Sequence, residues 1–129
     1  MATRRIITTT EAPAAVGPYS QAVRHGTFVF TAGQVPLDPA TGKIEATTIE
    51  DQTDRALRNV AAVLDAAGSG LDKVVKVTVF MTDLGKFAAM NEVYARYFPS
   101  APPARSAVQV AALPLGAQIE IEAVALVSE

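Results

Sequence analysis

The last apolar stretch, QIEIEAVALV (Gln118 to Val127), limits what this chain can fold into more than any other feature. Its residues alternate, so it reads as a strand whose side chains leave on two faces. Ile119, Ile121, Ala123, Ala125 and Val127 fall on one side, and Glu120, Glu122, Val124 and Leu126 on the other. Both sides are partly apolar, so both need cover. The chain offers only two helical patterns. Ala56, Leu57, Val60, Val63, Leu64 and Ala67 recur at helical spacing after a capping-box-like Thr47 and Glu50, with Gly68 as the stop. A second stripe, Phe87, Met90, Tyr94, Tyr97 and Phe98, follows Asp83 as a candidate cap and ends at the prolines between Pro99 and Pro103. Two helices cover one face of a sheet this large. The expectation is a two-layer α+β domain whose helix-free face meets a partner subunit.

The remaining strands are read in the same way. Arg4–Thr8 is a short β candidate, and Thr9–Ser20 a loop carrying GPYSQ. AVRHGTFVFTAG gives two strands joined at His25-Gly26, and PLDPATGKI is turn-rich. Lys73–Met81 is β-branched, and SAVQVA precedes the final strand. The order is β-β-β-α-β-α-β-β in one domain spanning residues 1–129, with no repeat or linker.

Charge and residue inventory remove several functions. A net charge of −2 without a basic run gives no general attraction to nucleic acid or anionic lipid. Cys is absent and His25 is the single histidine, so His/Cys metal clusters and thiolate chemistry are excluded. MATRRIITTT lacks the apolar segment of a signal peptide, and no apolar run approaches the about 20 residues of a membrane span. A cytoplasmic protein without a His/Cys metal site is expected.

Five positions are candidates for chemistry. Arg105 is the only charged residue between Arg96 and Glu120. Small apolar neighbours cannot satisfy its five donors, and a stiff proline-rich approach helps fix a bidentate carboxylate clamp. Glu120, read as an outward glutamate on an edge strand, has apolar neighbours able to raise its pKa toward that of an acid/base. Tyr19 can offer a hydroxyl from the GPYSQ loop. Asn91 lies on the apolar stripe of the second helix, where a buried amide must be hydrogen-bonded. Gly33, ending TAG, allows close approach of a ligand or backbone. Each also has an ordinary structural role open to it: ion pairing, a solvated glutamate, a packing plug, helix support or a strand end.

Four segments together resemble the RidA (YjgF) family over nearly the whole chain: APAAVGPYSQAV, FVFTAGQVPLDPATG, VVKVTVFMTDLGKFAAMNEVYARYF and PPARSAVQVAALPLGAQIEIEAVAL. The resemblance implies a chorismate-mutase-like fold, with about six strands backed by two helices. It implies a homotrimer with a central barrel and ligand clefts between subunits. It implies hydrolysis of reactive 2-imino acids and their enamine tautomers, such as 2-iminobutanoate and 2-iminopropanoate, to 2-keto acids and ammonia. By the same resemblance Arg105 grips the substrate carboxylate and Glu120 holds and activates water. Tyr19, Gly33 and Asn91 line the pocket, and Ala107 contributes through its carbonyl oxygen. Two positions depart from the family pattern: Ala32 stands where Ser is common, and Ala107 where Cys is. Thr31, beside Ala32, should face the opposite way in a strand.

This chemistry needs a held carboxylate, a water about 3 Å from the imine carbon and a proton shuttle. Arg105 and Glu120 would meet if the last two strands pair. A trimeric sensor of small carboxylates would use Arg105 equally well and could dispense with Glu120. A translation inhibitor or ribonuclease, the third reading, is disfavoured by the acidic balance.

Overall fold

A computed structural model of the chain describes residues 3–127. Six strands form one mixed sheet: β1 (Arg5–Ile7), β2 (Ala22–His25), β3 (Phe28–Thr31), β4 (Val74–Met81), β5 (Ala104–Gln109) and β6 (Ile119–Leu126). Two helices, α1 (Ile49–Ala66) and α2 (Phe87–Tyr97), complete the α+β domain expected from the sequence. The strand order is β1-β2-β3-β6-β4-β5. Every pairing is antiparallel except β4 with β5, which is parallel and is joined by the crossover through α2.

The period-two reading of the last strand holds. Ile119, Ile121, Ala123 and Ala125 are buried beneath the helices with Val77, Val79 and Met81 of β4. Leu57, Val60, Val63 and Leu64 of α1 and Met90 and Tyr94 of α2 close this core. The opposite face carries Phe28, Phe30 and Leu126 on neighbouring strands, each about half exposed. Among the described residues no helix is long and apolar enough to cross a membrane.

Several boundaries differ from expectation for local reasons. Thr48, not Thr47, caps α1: its hydroxyl accepts from the Asp51 N–H at 3.1 Å. Thr47 instead offers its carbonyl to Gln118 Nε2. Gly68 ends α1 as expected, at φ +81°, with Gly68 N–H to Asp65 O and Ser69 N–H to Leu64 O closing a Schellman motif. Asp83 caps a single 3₁₀ turn, Leu84–Lys86, that leads into α2. The first hairpin turns at Gly26-Thr27, one residue later than His25-Gly26, because Gly26 takes the positive φ there. β5 begins at Ala104, so Arg105 is a strand residue rather than part of the approach to one. β6 lies between β3 and β4 and is central, not an edge.

Buried amides that periodicity does not reveal tie the long β3–α1 connection to the body. Asn59 is fully buried, donates to Val35 O (3.1 Å) and Leu37 O (2.8 Å), and accepts from Arg55. Gln52 donates to Ala46 O and accepts from the Gln118 N–H. Asn59→Ala would strand two carbonyls that lose their donors. A loss of about 2–5 kcal/mol in unfolding free energy is expected, read from the urea midpoint at unchanged slope.

Candidate functional site

Strand pairing decides which candidate residues meet. Arg105 on β5 lies beside Val77 of β4, which lies beside Ala123 of β6. Val77 and Ala123 are core residues, so Arg105 leaves the sheet on the helix side. Glu120 lies beside Phe80, three positions further along, and alternates with buried Ile119 and Ile121. It leaves on the helix-free side. The last two strands therefore do not pair; β4 separates them. Within one chain Arg105 and Glu120 occupy opposite faces, roughly two strand spacings (about 10 Å) apart across the sheet.

The candidates fall into two groups. In the first, α2 builds a seat for Arg105. Phe87, Asn91 and Tyr94 share one helix face at i, i+4 and i+7. The Arg105 Nη1 donates to Asn91 Oδ1 at 2.6 Å. Its guanidinium carbon lies 4.7 Å from the Tyr94 ring centre and 5.3 Å from that of Phe87. Among the described residues no carboxylate pairs with Arg105, and Asn91 is its one side-chain partner. Most of a fork made for bidentate carboxylate binding is thus open. Ala107 follows two residues on along the same strand face.

The second group gathers Tyr19, Gly33 and Glu120. Gly33 follows β3, and its neighbour Gln34 bridges Ile121 through reciprocal backbone bonds of 2.8 and 3.0 Å. This brings Gly33 against Glu120: a Cβ built on Gly33 would lie 2.6 Å from Glu120 Oε2 and 2.7 Å from Cδ. Only glycine leaves the carboxylate where it is. Tyr19 and Gly33 line a small cavity of about 40 Å³, and the Tyr19 hydroxyl accepts weakly from the Val16 N–H at 3.4 Å. Burial first, and the neighbouring Glu122 charge second, push the Glu120 carboxyl above its ordinary range. The Thr31 hydroxyl accepts from the Ala123 N–H at 3.0 Å.

Sequence reasoning named the residues that fall into these two groups but did not see Phe87 and Tyr94 as the floor beneath Arg105. Their spacing around Asn91 was the available signal; as an aromatic stripe it read only as core.

This is a small α+β domain with a candidate carboxylate clamp on one sheet face and a perturbed glutamate on the other. Its sequence narrows that class. Residues 9–127 match the family described as Endoribonuclease L-PSP, and the chain belongs to it, the same RidA (YjgF) family that its motifs resemble. It is 52% identical to a RutC family protein of Pyrococcus horikoshii, over 95% of this chain and 97% of that one. It is 46% identical to the 2-iminobutanoate/2-iminopropanoate deaminase of Mus musculus, over 95% and 91% respectively. The crystal structure of Escherichia coli TdcF with bound serine superposes with a TM-score of 0.92 at 47% identity, covering 96% of this chain and 99% of that one.

Proposed function

We propose that this protein hydrolyses small 2-imino acids and their enamine tautomers to 2-keto acids and ammonia. The site would be assembled between subunits: Arg105, Asn91 and Ala107 from one copy, and Tyr19, Gly33 and Glu120 from the next. The observation that carries the reading is the open Arg105 fork, seated on α2 with no carboxylate paired to it among the described residues. The deaminase name borne by mammalian relatives at 46–48% identity supports the same chemistry.

In this reading Arg105 holds the substrate carboxylate in a bidentate contact, which fixes the imine carbon beside it. Glu120 of the adjoining copy orients a water and takes one of its protons as oxygen attacks that carbon. Glu120 then returns the proton to nitrogen. As the C–N bond of the carbinolamine breaks, its hydroxyl proton passes back to Glu120, ammonia leaves, and a C=O replaces C=N. A raised carboxyl pKa suits a group that must both accept and release a proton near neutrality. Ala107 supplies at most its carbonyl oxygen, an acceptor for the same water. The chemistry asks for no bound cofactor.

The direct test generates 2-imino acids in situ with an amino acid oxidase and follows keto-acid formation with and without the protein. Acceleration over spontaneous hydrolysis supports the reading, and an unchanged rate removes it. A net charge of −2 disfavours the nuclease activity in the family's description. A shared site also requires assembly. Sedimentation at micromolar concentration is expected to give a trimer whose contacts cover Phe28, Phe30 and Leu126; a monomer alone would leave the two halves of the site apart.

A further inference from the structure

We propose that Tyr94, with Phe87, is a positioning residue for Arg105: the two rings set the plane of the guanidinium so that its free donors face outward. The inference rests on the carboxylate-clamp reading of Arg105 but concerns groups that never reach the substrate.

Three observations carry it. First, the guanidinium lies within cation–π range of both rings, nearer to Tyr94 (4.7 Å) than to Phe87 (5.3 Å). A planar cation against aromatic faces loses rotational freedom, and the Asn91 contact at 2.6 Å fixes the remaining direction. Second, Tyr94 is itself immobile. It is 6% exposed and stacks on Phe98 with ring centres 4.7 Å apart. Third, the Tyr94 hydroxyl is buried and has no hydrogen-bond partner among the described residues. Such a group is unfavourable for folding, so what the chain itself gains at this position comes from the ring. Desolvation raises the Tyr94 pKa, so the ring meets Arg105 as a neutral phenol. β5 lies at the sheet edge, and on the helix side Arg105 is held by α2 alone among the contacts described. Without the rings a long, flexible side chain would have to be ordered by the ligand itself, and that loss would appear in affinity rather than in the chemical step.

The experiment compares wild type with Tyr94→Phe, Tyr94→Leu and Phe87→Leu. Binding of 2-oxobutanoate is measured by calorimetry, KM and kcat by the in situ imine assay, and the Arg105 Nε–Hε resonance by NMR without ligand. Arg105→Lys identifies that resonance by its loss. Tyr94→Phe is expected to keep affinity within about twofold and leave the resonance in place, because the ring remains. Tyr94→Leu should weaken binding and raise KM about 2- to 30-fold with kcat nearly unchanged. The resonance should move toward its random-coil position as the ring current is lost. Phe87 is only partly buried, so Phe87→Leu gives a smaller change in the same direction even if Tyr94→Leu folds poorly. An unmoved resonance and wild-type affinity in both Leu variants would overturn the proposal. So would Tyr94→Phe behaving like Tyr94→Leu, since the hydroxyl would then be the operative group. If wild type binds no 2-oxobutanoate, the carboxylate reading fails, while the resonance still decides whether the rings hold Arg105.

Discussion

Arg105→Ala is expected to abolish imine hydrolysis and to weaken 2-oxobutanoate binding tenfold or much more, while the protein stays folded and assembled. A charge-assisted bidentate contact contributes about 1.5–3 kcal/mol, and more once desolvated, and each decade of affinity is about 1.4 kcal/mol. No other cation lies between Arg96 and Glu120 to replace it. The fold should survive because the guanidinium pairs with no carboxylate of its own chain among the described residues. Among the described residues its removal leaves only Asn91 Oδ1 without a donor, beside a partly exposed strand. Arg105→Lys should rescue weakly, since an ammonium lacks the planar fork and stacks poorly on Tyr94 and Phe87. Calorimetric titration of the three proteins, each sized for assembly, decides the matter. Wild-type affinity in the Ala variant would make Arg105 structural.

Local chemistry explains what the sequence made legible. The alternation through Ile119 to Leu126 gave β6 and its buried face, and the 3.6-residue stripes gave both helices. Gly68 gave a stop because its φ of +81° is open to glycine and costly to others. Capping was misplaced by one residue because Thr47 and Thr48 are both competent, and only the chain path decides between them. Strand neighbours were not legible at all. Nothing in PPARSAVQV says that β5 runs parallel beside β4 rather than antiparallel beside β6, since period two specifies faces and not partners. That one fact separates Arg105 from Glu120 and puts residues imagined together on two strands onto opposite faces of the sheet. The amides of Asn59, Gln52 and Gln21 were equally hidden, because their partners are backbone groups of distant loops.

Glu120→Gln is expected to cut turnover about 100-fold or more, the size of a lost general base, with 2-oxobutanoate affinity nearly unchanged. The amide has the carboxylate's shape but cannot take a proton from water. In wild type, kcat/KM should rise with pH through a pKa above the ordinary carboxylate value of 4.5, the direction burial and Glu122 impose. That limb should vanish in the variant. Stability should move the opposite way. A carboxyl whose pKa is raised in the folded state stabilises the fold below its unfolded pKa and loses that contribution as pH rises through the folded one. At pH 7 the charged form is therefore unfavourable to folding, and Glu120→Gln should melt higher than wild type, the difference shrinking as pH falls below the ordinary carboxylate range. Gly33→Ala reaches the same carboxylate by another route. The new methyl would lie 2.6 Å from Oε2 and 2.7 Å from Cδ, atoms at the movable end of the side chain. The fold should yield there at little cost, leaving the melting temperature near wild type while the displaced carboxylate lowers turnover on the order of 10- to 100-fold. Stopped assays and melting curves across pH separate these outcomes. Unchanged turnover in Glu120→Gln, with carboxylate binding intact, would turn the protein from a hydrolase into a receptor for small acids, with Arg105 as its working part.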